Sequence, residues 1–320
     1  GLALIELDDG RVIVHVLQPG GQAERAGVSW GAEILEWDGA PASEAIGAVA
    51  PIWAERPPAT EEGRRLLQQN LLTRAPVGTE VEITFQNATQ AEPQVATLEA
   101  VDDGLEPLVQ SLGQRGSAGV RKGTGAAGEE ATTYRPPEWK ILPGVYGYIK
   151  VYDVVSSGDD QAYVGVVEQA MQEFVTQDAP GIIVDVRGNP GGKDELVAAM
   201  MGHFFSEPGF YEYQYFDNWM TGLDFLDMAR PRPLEPKEPH YDGPVAVLVD
   251  GFTASSGEGF PMLARRLPQG HVVGVYGTHG SFGMCCTGIS LPGDAEVLFP
   301  PGQSQDADHG VQLDADQSLQ

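Results

Sequence analysis

The stretch Val245–Phe260, VAVLVDGFTASSGEGF, restricts this chain more than any other. The apolar run Val245–Val249 reads as a buried strand. A Gly/Thr/Ser turn follows, and a helix is expected from about Ser256 to about Leu267. A serine at such a turn sits at the mouth of the sheet. There the free N–H groups and the dipole of the helix favour developing negative charge. That is the local geometry of a serine nucleophile. The competing reading makes Ser255 or Ser256 a plain helix cap, with Glu258 as the capping-box partner of Ser255.

Elements of the same kind precede it. Tyr146–Val151 and Gly181–Val186 read as strands. Asp160–Thr176 reads as an amphipathic helix that sets Val164, Val167, Met171, Phe174 and Val175 on one face. Asp194–Phe205 reads as a helix and His271–Tyr276 as a last strand. This alternation predicts an α/β layer with a largely parallel sheet. In such a sheet the turns Arg187–Gly192 and Gly251–Ser255 lie at the C-terminal strand ends, where they can face one crevice. The glycines of DVRGNPGG let backbone N–H groups approach a ligand oxygen; the alternative is a purely structural turn. Phe210–Met228, rich in aromatic residues, reads as irregular: a cleft wall or a packed surface lobe.

The N-terminal third is different. Arg11–Val16 reads as a strand closed by Pro19-Gly20-Gly21. Gln22–Val28 reads as a helical turn ended by Gly27, and Gly31–Asp38 as a strand running into an Asp-Gly turn. Glu61–Leu72 is helical in pattern within a stretch, 50–76, that reads as an insertion. Val77–Phe85 and Pro93–Ala100 read as paired strands. Ser111–Glu130, rich in Gly, Ala and Ser, reads as a linker. The predicted divisions are 1–103, a linker over 104–139, and 140–320.

Formal net charge is −27 over 320 residues. Such a surface repels phosphate backbones, so nucleic acid is a poor partner. No apolar run is long enough for a transmembrane helix. The chain opens on Gly1 rather than methionine, so a preceding segment is expected. Its two cysteines, Cys285 and Cys286, are adjacent, which argues against a disulfide framework. They read as small buried hydrophobes or, if ionised, as nucleophiles. With no CxxC and no HExxH pattern, no metal and no cofactor are expected.

The order strand, PGG, A-x-x-A-G-V, G-x-x-I-L-x-x-D-G in the first part resembles a bacterial PDZ domain. The resemblance puts Gly1, Leu2, Ala3 and Leu4 in the carboxylate-binding loop, with a peptide added to a sheet edge. The bland alternative is a small β-barrel without ligand. DVRGNPGG and TASSGE, in this order behind such a domain, resemble the S41 peptidases: the tail-specific, carboxyl-terminal processing proteases and their tricorn-type relatives. Tyr148–Val151 resembles that family's G-Y-I-R-I strand. The resemblance implies a ClpP/crotonase-like α/β catalytic domain behind a mostly-β PDZ domain. It implies Ser255 as nucleophile, with Ser256 as fallback. The oxyanion hole would come from the N–H of Ser256 and one from Gly191 or Gly192. Protein or peptide substrates captured through their C-termini are implied, as is an extracytoplasmic location; homo-oligomerisation is left open.

One part of the family pattern is missing. Tail-specific proteases activate serine with a lysine in a G-K-G segment, but here Gly277-Thr278-His279-Gly280 stands there, and the last lysine is Lys237. Serine without a base is a weak nucleophile. His279 could act as base, and Lys150 is a second candidate. The Asp308–Asp314 tail resembles a degraded G-V-x-P-D segment of the family. The alternatives to a serine endopeptidase are an inactive peptide-binding relative and a crotonase-like core that binds a small molecule or lipid beside Phe210–Met228.

Overall fold

A computed structural model gives the fold and describes residues 1–51, 60–104, 135–156, 158–218, 223–226, 231–274, 277–283, 287–293, 296–299 and 302–312. The chain divides into two compact units, Gly1–Gly128 and Glu129–Gln320. Most of the expected linker, with Ser111–Glu130, lies outside the described residues, as do Cys285 and Cys286.

The first unit contains β1 (Leu2–Glu6), β2 (Val12–Leu17), α1 (Gln22–Arg25), β3 (Glu33–Trp37), β4 (Ala40–Pro41), α2 (Ala42–Ala48), α3 (Glu61–Leu72), β5 (Glu80–Gln86) and β6 (Gln94–Glu99). The strands form an antiparallel sheet in the order β1-β2-β3-β5-β6, with β4 on β3. Alternation explains the core: Val12, Val14 and Val16 of β2 are buried while the residues between them are half-buried. They meet Leu4, Ile34, Ile46, Ile83 and Phe85. Asp38 and Gly39 have φ of 53° and 79°, the left-handed backbone that a tight Asp-Gly turn requires. Helix α3 starts where the Thr60 hydroxyl accepts the Gly63 N–H at 3.1 Å.

β1 is an edge of this sheet, and α3 packs on it. Gln69 of α3 accepts the Glu6 N–H at 2.7 Å, and Arg65 of α3 pairs with the Glu6 carboxylate. The helix thus occupies the Glu6 end of the edge. At the other end, Gly1, Leu2, Leu72, Trp37, Val81 and Leu98 help to line a cavity of about 510 Å³. Its rim carries Asp38, Glu80, Glu99 and Asp102, beside an Arg74–Asp103 ion pair at 2.9 Å.

The second unit contains β7 (Glu138–Leu142), β8 (Tyr146–Lys150), α4 (Asp160–Thr176), β9 (Ile182–Asp185), α5 (Asp194–Met201), β10 (Gly209–Asn218), β11 (Leu223–Leu226), β12 (Arg232–Leu234), β13 (Val245–Leu248), α6 (Gly259–Ala264), β14 (Gly270–Val273), β15 (Thr287–Ser290), β16 (Glu296–Phe299) and β17 (Gly302–Gln305). Its main sheet runs β14-β13-β9-β8-β7, parallel except for the outer strand β7. Helix α4 buries Tyr163, Val164, Val167, Ala170, Met171 and Phe174, whereas Val175, in its last turn, is exposed.

Two expectations need correction. The Phe210–Met228 stretch is not irregular where described: β10 pairs with β11, β12 and β17, all antiparallel. The strand signal is present in the sequence, where Tyr211, Tyr213 and Tyr215 alternate with Glu212 and Gln214; the fold departs from it at a register shift between Phe210 and Glu212, where Tyr211 and Glu212 are both buried. The helix expected from Ser256 begins as a 3-10 turn, Ser255–Glu258, and becomes α-helical only at Gly259. Pro261 supplies the reason. It has no N–H, and its ring would clash with the carbonyl of Gly257 were residues 257–261 α-helical; in the first turn of α6 it needs no acceptor.

Candidate active site

Two turns meet at the C-terminal ends of adjacent parallel strands. β9 and β13 pair in register, Asp185 beside Leu248, and each strand then enters its turn. Asp250, just after β13, ties the two turns together. Its Oδ1 accepts the N–H groups of Gly188 (2.9 Å), Phe252 (3.1 Å) and Thr253 (3.0 Å). The Thr253 hydroxyl donates to the Val186 carbonyl at 3.0 Å, and the Ala254 N–H to the Asn189 carbonyl at 2.9 Å. Asn189, fully buried, donates its side-chain amide to the Val151 carbonyl at 3.2 Å and accepts the Gly191 N–H at 2.8 Å.

Ser255 is half-buried and has φ of 51°. A non-glycine residue in this region carries strain of order 1 kcal/mol that the surrounding turn must offset. Its hydroxyl makes no hydrogen bond to a described residue. Its backbone N–H does, donating to Glu258 Oε2 at 3.1 Å. Half of the capping box is therefore present, but the Ser255 side chain caps nothing.

Gly191 packs directly on this serine. A Cβ at Gly191 would lie 2.7 Å from Ser255 Cβ, and one at Gly192 would lie 2.1 Å from the Val154 carbonyl oxygen. Both glycines have positive φ, 102° and 146°. The Gly191 N–H is committed to Asn189, whereas those of Gly192 and Ser256 have no acceptor among the described residues. The Ser256 hydroxyl is buried and donates to the Gly192 carbonyl at 2.9 Å.

The loop that carries His279 is moored to the same turn. The His279 N–H donates to the Thr253 carbonyl at 2.9 Å. Glu258, fully buried, accepts from Gly280 N–H at 2.7 Å and from Ser281 N–H at 2.8 Å. Burial pushes the Glu258 carboxyl above its usual range, and these donors, with the Thr278 hydroxyl, only partly offset it. His279 itself is half-buried.

Lys150 is engaged at the start of the glycine turn. Its ammonium donates to Asp185 Oδ1 at 3.1 Å and to the Arg187 carbonyl at 2.6 Å. Burial lowers the Lys150 pKa despite Asp185. Burial acts against the Asp185 charge as well, but hydrogen bonds from Arg187 and Tyr148 and the charge of Lys150 hold its carboxyl at about 2. The carboxylate has more partners than the ammonium, so Lys150 is the strained member of the group.

Ser255, Ser256, Gly191 and Gly192 meet in one place, with the His279 loop tethered beside them. Gly1–Leu4 belong to the first unit. Sequence reading did not pick out Asp250 and Asn189, which hold the turns, or the Glu258 bonds to a loop over twenty residues away. Among the described residues no cluster of three or more His, Cys, Asp or Glu side chains could hold a metal ion.

Residues 145–297 match the sequence model of Peptidase family S41. Mature CPAF complexed with lactacystin is similar in structure, with a TM-score of 0.64 at 13% identity over 99% of this chain and 77% of that one. Mature CPAF gives a TM-score of 0.62 at 12% identity over 99% of this chain and 76% of that one. The photosystem II D1 C-terminal processing protease matches at 17% identity, over 100% of this chain and 70% of that one, with a TM-score of 0.44. No curated protein matches the sequence. At such identities the likeness to mature CPAF speaks for the fold alone, an antiparallel β unit followed by an α/β unit, while the sequence model speaks for residues 145–297. The match to Peptidase family S41 falls within the second unit of this chain.

Proposed function

We propose that this chain is a serine endopeptidase in which Ser255 attacks the scissile carbonyl. The observation that carries the reading is the Ser255 turn itself: a strained serine with an uncommitted hydroxyl, next to the N–H groups of Gly192 and Ser256. Those two donors would hold the tetrahedral oxyanion. Gly191 drops out as a donor because Asn189 takes its N–H. His279, on the loop moored to Thr253 and Glu258, is the proposed general base. Lys150 is not, because its ammonium serves Asp185 and the Arg187 carbonyl.

In the same proposal the first unit, read as a PDZ domain, captures substrate C-termini. Leu2–Leu4 lie on the free edge strand β1, and Gly1 and Leu2 line the cavity beside it. Gln69 restricts strand addition to the Leu2–Leu4 part of the edge. The acidic rim disfavours acidic peptides. A fluorescent peptide with an apolar C-terminal residue is expected to bind at least tenfold more tightly with a free carboxylate than as its amide, about 1.4 kcal/mol or more; equal binding would exclude C-terminal capture. An extracytoplasmic location belongs to this reading.

Labelling by a fluorophosphonate probe tests the chemistry. Wild type is expected to label between pH 6 and 9, insensitive to chelators, and Ser255→Ala not at all. His279→Ala should label slower by about 10²–10⁴, the usual contribution of a general base. Labelling that persists in Ser255→Ala would reject the nucleophile. A folded wild type that never labels would favour the second reading, an inactive relative that binds peptides or other ligands. The absence of any lysine after Ser255 speaks for that reading.

A further inference from the structure

Of the described side chains that line the cavity beside Leu2, one is a cation. Arg74 stands there among five carboxylates, Asp38, Glu80, Glu99, Asp102 and Asp103. A ligand that brings a terminal carboxylate meets one guanidinium among like charges. How that guanidinium uses its donors therefore decides whether a carboxylate is held.

Both members of the Arg74–Asp103 pair stand just beyond the end of an element. Helix α3 finishes at Leu72, and the Arg74 N–H donates to the Leu71 carbonyl at 2.9 Å, which fixes the Arg74 backbone. Asp103 follows β6. The exit of that strand is held to the entry of β5, with the Ala100 N–H 2.7 Å from the Thr79 carbonyl and the Gly78 N–H 2.8 Å from the Ala100 carbonyl. The Asp103 side chain is 8% exposed and that of Arg74 20%. Arg74 Nη1 donates to Asp103 Oδ1 at 2.9 Å and to Oδ2 at 3.0 Å. A full Arg–carboxylate pair sets two nitrogens against two oxygens. Here a single nitrogen serves both oxygens. Arg74 Nε is buried without an acceptor, and Nη2 makes no hydrogen bond to a described residue. The guanidinium is thus engaged by a carboxylate and yet under-used, which leaves the pair open to exchange.

We propose that Asp103 is a resident stand-in for the ligand carboxylate: it holds Arg74 in the absence of peptide and yields it to the C-terminus of a bound peptide. This rests on the reading of the first unit as a captor of C-termini. A terminal carboxylate has the same charge and the same two oxygens as the Asp103 side chain, so the exchange leaves Arg74 balanced. Asp103 then turns toward water, where its neighbour Asp102 is already exposed. An amide or an internal peptide bond has no charge to offer and cannot displace Asp103. The ion pair therefore rejects amidated ends and internal segments while it admits free C-termini. Specificity comes from what must be displaced as well as from what is gained.

The signs of two substitutions test this. A fluorescent peptide ending in leucine, as free acid and as amide, is titrated into the full chain. Arg74→Met is expected to weaken binding of the acid about tenfold, the low end for a hydrogen bond to a charged group, and to leave the amide unchanged. Asp103→Asn is expected to tighten binding of the acid about tenfold and again to leave the amide unchanged, because a neutral asparagine competes weakly for the guanidinium. A pair that only ties α3 to the exit of β6 predicts no gain in Asp103→Asn for either peptide. Wild type supplies a readout that needs no variant to fold: the Arg74 Nε–H resonance should move on addition of N-acetylleucine and stay put with N-acetylleucinamide. A resonance that ignores the acid would overturn the exchange, as would an Asp103→Asn variant that binds the acid no more tightly than wild type. If acid and amide bind alike in all three proteins, capture of C-termini itself fails and the exchange with it. If wild type prefers the acid and both variants keep that preference unchanged, capture stands and the exchange alone falls.

Discussion

Glu258→Gln is expected to lose labelling of Ser255 by more than about 10² and to cost about 2–4 kcal/mol of stability, the range for stranding buried hydrogen-bonding groups. The carboxylate only accepts: from the N–H groups of Ser255, Gly280 and Ser281, and from the Thr278 hydroxyl. A glutamine of the same size puts an NH₂ where an acceptor stood, so donor meets donor in a site with no solvent access. The loop that carries His279 then has fewer ties to the serine turn. Hydrogen exchange should show the Gly280 and Ser281 amides losing protection while α4 keeps its own. Unchanged protection at both amides would mean that Glu258 does not tether the loop.

Asp185→Asn should be the more costly change for stability, by about 3–5 kcal/mol, the penalty for stranding a buried partner charge. Lys150, with its side chain 16% exposed, is that partner; Arg187, 53% exposed, can turn to water. The effect depends on pH with a defined sign. The Asp185 pKa is depressed in the fold, to about 2 from 3.8. Its contribution is therefore present above pH 3.8 and lost as pH falls through about 2, a span worth about 2 kcal/mol. Urea unfolding should show the full gap between wild type and variant at pH 5 and a narrowing gap below pH 4. Adding Lys150→Met should recover part of the loss. Equal stability at pH 5 would show that the ion pair adds nothing to the fold.

These two carboxylates also mark the limit of what could be read without coordinates. The buried strands β9 and β13 were legible because uninterrupted apolar runs leave few other folds. Helix α4 has the expected limits, Asp160 to Thr176, because its apolar period of 3.6 starts at an aspartate cap, Asp159, and ends where that period stops. The serine and glycine turns were legible as letters in a known order. The tethers were not. Asp250 and Asn189 stand in Gly-rich segments where polar residues ordinarily face water. Their partners are distant in the chain: Gly188 for Asp250, and Val151 and Ala254 for Asn189. The position of Lys150 follows from register, since it lies beside Asp185 across β8 and β9. Strand β10 carries its alternation in Tyr211, Tyr213 and Tyr215 and was legible in principle, whereas the 3-10 turn was not, because one proline shifts where α6 can begin.

The two proposed oxyanion donors, Gly192 and Ser256, are joined by a bond that spans 64 positions of sequence. A chain emerging from the ribosome makes the glycine turn long before the serine turn exists. Neither turn alone has a neighbour to hold its strained backbone, and neither can assemble until β13 docks in parallel beside β9. Such long-range pairing is among the slower events of folding. An incomplete chain accordingly holds neither turn in its final geometry. The paired turns therefore assemble in a single late step.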